Sequence, residues 1–171
     1  FLNSDFERDS NDPFLLPEME KAVDRIIFAK NNGEKVCVWS DYDADGIPAG
    51  VMLSQFLRDI GMSVRHYIPH RHKEGYGLNK EGIEELAGEN IKLIITADLG
   101  TADHEAIVFA KEKNIDVIVT DHHLIQGDTL TPGLSKESPL HSVILPSALA
   151  FINPKRLDSK YPFDGLCGAG V

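Results

Sequence analysis

The sequence predicts an α/β protein in which a parallel β-sheet carries helices on both faces. Three observations support this prediction. Short apolar runs rich in β-branched residues alternate with stretches that have the apolar spacing of helices. Three of these runs end in carboxylate or imidazole side chains, as expected where parallel strands build a ligand site. The length of 171 residues, with 42% hydrophobic and 26% charged residues, suits one globular domain with its own core.

The beginning of the chain predicts a surface arm, a helix and a strand. Residues 1–16 combine Asp, Asn, Ser and Pro with scattered aromatic side chains, so we expect an extended arm. A helix is predicted from Pro17, because proline suits the first turn, up to a stop signal that ends in Gly33. The first strand is predicted over residues 35–40. The apolar face of the predicted helix consists of Met19, Ala22, Val23, Ile26 and Ile27.

The rest of the chain alternates between predicted helices and strands. Strand–helix–strand connections of this length are right-handed crossovers, so the strands should run parallel and their carboxyl ends should share one edge. After the last helix and strand pair, residues 124–146 predict a long loop. The predicted helices span residues 47–60, 80–87 and 102–113, and the predicted strands span residues 64–68, 91–96, 115–119 and 149–152.

A row of alternating carboxylates follows the first predicted strand. Asp41, Asp43 and Asp45 are separated by single residues and lead into Gly46. Alternate residues of an extended chain point to the same side, so these negative charges repel one another unless a cation compensates them. We interpret the stretch as a divalent metal site, and solvated carboxylates on a turn are the structural alternative.

The same carboxylate pattern opens the calcium-binding loop of EF-hand proteins. That loop requires a glutamate at its twelfth position, and counting from Asp41 places Met52 there. It also requires a preceding helix, whereas the β-branched Val36 and Val38 favour a strand. The EF-hand interpretation is therefore excluded.

Two further strand ends carry side chains that can bind metal, namely Asp98 and the run Asp121, His122 and His123. Taken singly, Asp98 could cap a helix and His122 could be an ordinary surface or core histidine. At a common sheet edge, however, they would meet the aspartates of the first strand. Carboxylate and imidazole ligands without thiolate favour Mn²⁺ or Mg²⁺, and so many carboxylates suggest two ions. Two ions suit the hydrolysis of a phosphoester.

The loop over residues 69–78 holds the densest cluster of basic side chains in an acidic chain. Arg71 could grip a phosphate through its planar guanidinium, and the ring of Tyr76 could stack on a nucleobase. Gly75 and Gly77 would let the backbone approach a ligand closely. We predict Arg71, Gly75 and Tyr76 as substrate-binding residues, and a solvated basic loop is the structural alternative.

Composition limits the function and the compartment. The formal net charge of −10 argues against non-specific coating of duplex nucleic acid, but metal-binding carboxylates contribute to that charge, so a nucleic-acid enzyme remains compatible. No apolar run approaches the roughly 20 residues that span a membrane. Cys37 and Cys167 fit reduced thiols of a cytoplasmic protein rather than a disulfide framework or a zinc knuckle.

These motifs resemble those of the DHH phosphoesterase superfamily. Within it the chain is most similar to the RecJ-like exonucleases, a bacterial family specific for single-stranded DNA. Supporting similarity lies in residues 12–19, 69–78, 152–156 and 161–171. The residues that match the first three motifs of the superfamily are Asp41-Tyr42-Asp43-Ala44-Asp45-Gly46, Thr96-Ala97-Asp98-Leu99-Gly100 and Asp121-His122-His123.

The resemblance implies 5′-to-3′ degradation of single-stranded DNA in recombination and repair, with Mn²⁺ or Mg²⁺ as cofactor. It implies catalytic roles for Asp98, His122 and His123, with Asp98 bridging two ions. Asp41 and Asp121 are expected to orient the ligands, and Arg71 to hold substrate phosphate. The implied metal ligands are Asp43, Asp45, Asp98 and His122.

The resemblance also implies that residues 17–171 are an incomplete catalytic domain. A fourth motif with another metal-ligating aspartate, and a second domain that closes over DNA, would follow Val171. We therefore expect the fragment alone to be inactive or weak. Two other functions stay open: a phosphoesterase acting on oligonucleotides, cyclic dinucleotides or pyrophosphate, and a non-catalytic replication scaffold. Protein partners are not indicated.

Overall fold

The computed structural model describes residues 3, 5, 10–125 and 144–171. Within these residues five strands form one sheet in the order β2-β1-β3-β4-β5, and every neighbouring pair is parallel. The predicted parallel sheet is therefore confirmed. The strands are β1 (Lys35–Ser40), β2 (Ser63–Tyr67), β3 (Ile91–Ala97), β4 (Asp116–Thr120) and β5 (Ala150–Ile152).

Helices cover both faces of the sheet, as predicted. The side chains of β1 and β3 alternate between two apolar clusters, so that Val36 and Val38 face one side and Cys37 and Trp39 face the other. The first cluster is closed by α1 (Met19–Asn31) and α2 (Gly46–Asp59), and the second by α3 (Lys80–Gly88) and α4 (His104–Glu112). Because both faces are covered, the central strands β1 and β3 are largely apolar.

All the predicted helices and strands are present, with ends that differ by one or two residues. The helix predicted over 102–113 begins only at His104, and the carboxylate of Asp103 does not cap it. Instead, Oδ2 of Asp103 accepts a hydrogen bond of 2.8 Å from the N–H of Leu78, at the end of the basic loop. A side chain that fixes a distant loop is thus unavailable as a local cap.

The extended arm predicted over residues 1–16 is wrong for its last part. Pro13–Leu15 form a 3-10 helix, and Oδ1 of Asp12 accepts a hydrogen bond of 2.9 Å from the N–H of Phe14. Leu16 is buried in the cluster under α1 and α2. Burial of this apolar side chain holds the segment against the domain. Seven of the arm residues (1, 2, 4 and 6–9) and most of the predicted long loop (126–143) lie outside the described residues.

The strand order reverses beside β1, because β2 and β3 follow it in sequence but lie on opposite sides of it. Crossover helices then leave a crevice beyond the carboxyl ends of β1 and β3, which is where open α/β sheets bind ligands. In the ranges that the structure describes, no helix has the length and apolarity to cross a membrane.

Candidate metal centre

Three adjacent strands each end in a buried aspartate. Asp41, Asp98 and Asp121 directly follow β1, β3 and β4, and each backbone N–H continues the pairing of the sheet by donating to the neighbouring strand. These bonds are 3.2 Å from Asp41 to the carbonyl of Ala97, 3.1 Å from Asp98 to that of Thr120, and 3.1 Å from Asp121 to that of Ile152. The sheet itself therefore aligns three carboxylates along the crevice.

Asp98 is held under unusual conditions. Its φ of 67° lies in the left-handed region, which is uncommon for residues other than glycine. Its side chain is buried, and its Oδ1 receives no hydrogen bond from the described residues. Nε2 of His122 lies 3.0 Å from this oxygen without forming a hydrogen bond to it. A buried carboxylate oxygen without a donor is costly, and a bound cation would satisfy it.

The charge around Asp98 is also unbalanced. Burial, followed by repulsion from the carboxylates of Asp45 and Asp43, raises the pKa of Asp98 to about 7. A divalent cation would reverse this effect, because it favours the ionised form of a nearby carboxylate.

Two groups of candidate ligand atoms share Asp98. One group joins Asp98 with His122 and His123, and the other joins it with Asp41 and Asp43; within each group the ligand atoms lie within 4.8 Å of one another. The donors are carboxylate oxygens and imidazole nitrogens, which suit Mn²⁺ or Mg²⁺. The residues therefore fit the predicted pair of ions with Asp98 between them.

The loop after β1 fixes Asp43 by its own backbone. Oδ1 of Asp43 accepts hydrogen bonds from the N–H groups of Gly46 (2.9 Å) and Asp45 (2.8 Å). These two bonds hold the pKa of Asp43 below its usual value. The carboxylate is thus kept ionised and oriented beside Asp98, as the prediction of a ligand role requires.

Asp45 lies at the margin of the cluster. Its Oδ2 is 3.6 Å from Nε2 of His122, and its two oxygens accept hydrogen bonds from the N–H groups of Gly168 (2.6 Å) and Ala169 (2.9 Å). Burial raises the pKa of Asp45, but these amides and the nearby His122 outweigh it and lower the pKa. Asp45 belongs to neither group of converging atoms, whereas Asp41, predicted as a supporting residue, belongs to one. The ligand role of Asp45 stays a prediction.

Asp121 organises the two histidines that follow it. Its Oδ1 accepts hydrogen bonds from the backbone N–H groups of His122 (2.7 Å) and His123 (3.1 Å), and it lies 2.7 Å from Nδ1 of His123. Its Oδ2 accepts the N–H of Thr101 at 2.9 Å. Burial raises the pKa of Asp121, yet these bonds outweigh it and the pKa is lowered. Asp121 thus has the surroundings expected of a residue that orients its neighbours.

The basic loop reaches the same crevice. The hydroxyl of Tyr76 lies 3.4 Å from the carbonyl oxygen of Asp98, and its ring centroid is 6.2 Å from that of His123. Arg71 lies over the ring of Tyr42, 5.3 Å from its centroid, and Tyr42 is in edge contact with Tyr76 at 6.4 Å. The structure therefore brings Arg71 and Tyr76 to the site, together with Tyr42, to which the sequence analysis gave no role.

Gly75 serves the loop through its conformation. Its φ is +80°, and a Cβ atom at this position would meet no heavy atom within 4 Å. The glycine is thus needed for the turn that presents Tyr76, the space beside it is open among the described residues, and its role in binding a ligand stays a prediction. Gly77 differs, because a Cβ atom at Gly77 would lie 2.5 Å from Oδ1 of Asp103.

A buried asparagine after β5 was missed as a functional residue. Nδ2 of Asn153 donates to the carbonyl of His123 at 3.0 Å and to Oγ1 of Thr101 at 3.2 Å, and its Oδ1 accepts the N–H of Lys155 at 2.9 Å. The ammonium group of Lys155 donates to the carbonyl oxygen of His122. The sequence could have indicated this residue, since Asn153 directly follows a strand that ends at the same edge of the sheet.

Comparison with known proteins agrees with this site. Residues 35–171 match the family model described as the DHH family, N-terminal domain. The single-stranded-DNA-specific exonuclease RecJ of Bacillus subtilis strain 168 is 39% identical over 166 residues, which cover 96% of this chain and 19% of the relative. The exonuclease of the same name from Escherichia coli K12 is 35% identical over 157 residues, which cover 91% of this chain and 24% of the relative. The chain thus spans about a fifth to a quarter of these curated relatives.

A solved structure has the same fold. The crystal structure of exonuclease RecJ bound to manganese matches with a TM-score of 0.74 and 30% identity, covering 95% of this chain and 37% of that one. With most of its length matched by the family model, and with its three acidic and imidazole motifs at one sheet edge, this chain belongs to the DHH family.

Proposed function

We propose that the protein carrying this chain is a metal-dependent exonuclease that hydrolyses the phosphodiester bonds of single-stranded DNA in the 5′-to-3′ direction. The observation that carries the proposal is the pair of ligand groups that meet at Asp98, whose buried Oδ1 has no donor among the described residues. The names of the curated relatives support the substrate and the reaction.

The cofactor we propose is Mn²⁺ or Mg²⁺, with two ions in the complete protein and with Asp43, Asp45, Asp98 and His122 as ligands. When bound, such ions neutralise the scissile phosphate and increase the acidity of the attacking water. Asp98 lies where both ligand groups overlap, and Asp41 is close enough to contribute an oxygen to one of them. The manganese in a structurally similar exonuclease supports this choice of metal.

His123 is the residue we assign to the substrate phosphate, with His122 on the metal side. Nδ1 of His123 is engaged by Oδ1 of Asp121, which leaves the opposite ring nitrogen for a ligand. Burial lowers the pKa of His123, but the hydrogen bond and charge of Asp121 outweigh it and raise the pKa. A protonated imidazole next to the cluster would donate a charge-assisted hydrogen bond to a phosphate oxygen.

Arg71, Gly75 and Tyr76 would receive the DNA strand. Arg71 is exposed beside Tyr42 and can hold a phosphate, while the rings of Tyr42 and Tyr76 offer surfaces on which bases can stack. These three side chains, one cation and two aromatic rings, form a path that leads to Asp98. The path favours a nucleic-acid strand over pyrophosphate as the substrate. The cost of leaving Asp98 buried without a cation disfavours a non-catalytic scaffold.

We further propose that residues 17–171 are the first part of the catalytic domain, because the chain covers only 19–24% of the two relatives described above. The place of action we propose is the cytoplasm, in DNA repair and recombination. The free thiols of Cys37 and Cys167 are compatible with a reducing compartment.

The test uses the complete protein with Mn²⁺ and four substrates: single-stranded DNA labelled at its 5′ end, the same strand labelled at its 3′ end, a blunt duplex, and a dinucleotide. We expect rapid release of the 5′ label as mononucleotide, gradual shortening of the 3′-labelled strand and little cleavage of the duplex. Preference for the dinucleotide would indicate a small-substrate phosphoesterase, and no hydrolysis of any substrate would contradict the proposal.

A further inference from the structure

A 3-10 turn at Gly168–Gly170 packs against two of the candidate metal ligands from outside their motifs. The turn lies against α2, and its first residue is buried. Its contacts with Asp45 and Asp98 join residues that are more than a hundred and about seventy positions apart in the sequence, respectively. Gly168 and Ala169 are therefore part of the wall of the metal centre.

Gly168 leaves no room for a side chain. A Cβ atom at this position would lie 2.5 Å from Cβ, Cγ and Oδ1 of Asp98, a separation that real Cβ atoms essentially never show. Asp98 cannot easily retreat, because it is buried and its backbone N–H is bonded to β4. Gly170, two residues on in the same turn, is different: the three described atoms nearest to its Cβ atom would belong to the side chains of Leu166 and Cys167, the closest being Cδ2 of Leu166 at 3.3 Å.

The turn also orients Asp45. The first N–H groups of a helical turn have no acceptor within it, and here those of Gly168 and Ala169 donate to the two oxygens of one carboxylate. Oδ2 of Asp45, which accepts the N–H of Gly168, is also the oxygen nearest to Nε2 of His122. Two fixed donors on one carboxylate set both its position and its rotation.

We propose that the Gly168–Ala169 segment is a positioning element of the metal centre. The absent side chain of Gly168 sets where Asp98 lies, and the two backbone amides set where Asp45 lies. The segment acts through these carboxylates and touches no substrate. The inference rests on the proposed function, since it assigns both residues to the same metal site.

The first test compares Gly168→Ala with Gly170→Ala in the complete protein. Mn²⁺ affinity is measured by isothermal titration calorimetry, and thermal unfolding is followed without metal. We expect Gly168→Ala to weaken Mn²⁺ binding by about tenfold or more, the range typical for residues that orient metal ligands. Gly170→Ala should bind Mn²⁺ like the natural protein.

A second pair of variants keeps the test decisive if Gly168→Ala does not fold. Ala169→Pro replaces one amide donor to Asp45 by a ring carbon, and proline is tolerated in the first turn of a helix. We expect this variant to weaken Mn²⁺ binding. Ala169→Gly keeps the amide and should bind Mn²⁺ with the natural affinity.

Each outcome decides the inference. Natural Mn²⁺ affinity in folded Gly168→Ala, or in Ala169→Pro if the former does not fold, would overturn it, as would equal losses in Gly168→Ala and Gly170→Ala. These failures would leave the proposed function standing, because the natural protein would still bind Mn²⁺ and degrade DNA. A natural protein that binds no Mn²⁺ would instead refute the proposed function, and this inference with it.

Discussion

The loop that follows β1 and the loop that follows β3 bring carboxylates to the same crevice, but they surround them differently. In the first loop Asp43 and Asp45 each accept two backbone N–H groups, and the pKa of each is lowered. In the second loop Oδ1 of Asp98 has no donor among the described residues, and burial together with its acidic neighbours raises its pKa to about 7.

This difference indicates that the carboxylates of the two loops have different roles in the metal centre. Asp43 is kept ionised and oriented by amides of its own loop, and Asp45 by the amides of Gly168 and Ala169, whether or not a cation is present. Asp98 is the position at which a buried carboxylate oxygen has no hydrogen-bond donor among the described residues. We therefore expect the dependence on metal to concentrate at Asp98, and the predictions on Asp98 variants test that expectation.

The largest effect is expected from Asp98→Ala in the complete protein. Removing the carboxylate shared by both ligand groups should abolish hydrolysis, leaving below about a tenth of the natural rate. Initial rates of mononucleotide release from single-stranded DNA with Mn²⁺ give the answer. Retention of a tenth of the rate or more would contradict the shared role.

The pH dependence of stability should change with Asp98→Asn. The pKa of Asp98 is raised in the folded protein, so the folded state binds a proton that the unfolded state has lost between about pH 4 and pH 7. Without metal, the free energy of unfolding should therefore fall as the pH rises through this window, owing to Asp98. Asp98→Asn should lack that contribution and be the more stable protein at pH 8.

Chemical unfolding in the presence of a chelator, at pH 5 and pH 8, measures this difference. Asp43→Asn is the matched control, because the pKa of Asp43 is lowered and the substitution removes a stabilised carboxylate. Its loss of stability should be fully developed above the unfolded pKa of about 4, and should therefore be the same at pH 5 and pH 8. The same pH profile in both variants would remove the contrast between the two loops.

The loop after β4 offers a third carboxylate, Asp121, whose surroundings depend on Asn153. Asn153→Ala would leave the carbonyl of His123 and Oγ1 of Thr101 without their buried donor, so we expect unfolding to become easier by about 1–3 kcal/mol. Denaturant titration checks this, with Asn32→Ala as control because the side-chain bond of Asn32 is exposed. Equal small losses in the two variants would show that Asn153 does not anchor the loop.

The smallest effect is expected from replacing Arg71, a proposed substrate-binding residue. Arg71→Ala should raise KM for single-stranded DNA with a smaller loss of kcat, because Arg71 lies over the ring of Tyr42 and belongs to neither group of candidate ligand atoms. Lys73→Ala, which removes an exposed cation from the same loop, should change KM less. An unchanged KM in Arg71→Ala would remove Arg71 from the substrate path.

Much of the site could be predicted because parallel strands have a strict geometry. Asp41, Asp98 and Asp121 follow neighbouring strands, so their convergence follows once the strands are recognised. That Asp41 lies among the converging ligand atoms while Asp45 lies at their margin could not be predicted, because the direction of each side chain depends on backbone angles after the strand ends. These angles carry no periodic signal in the sequence.

Contacts between residues that are distant in the sequence were the second feature that could not be predicted. The packing of Gly168 on Asp98 joins two loops that no local pattern connects, and glycines in a Gly-Ala-Gly run suggest only a turn. Leu16 was likewise assigned to an exposed arm, since a single apolar residue among polar ones gives no periodicity to detect. Tertiary packing determined both positions.

Calorimetric titration of the complete protein with Mn²⁺ tests most directly whether metal binding depends on Asp98. The natural protein should bind two ions, and Asp98→Asn should lose binding at both sites while remaining folded. Binding of two ions by Asp98→Asn with unchanged affinity would show that metal binding does not depend on Asp98.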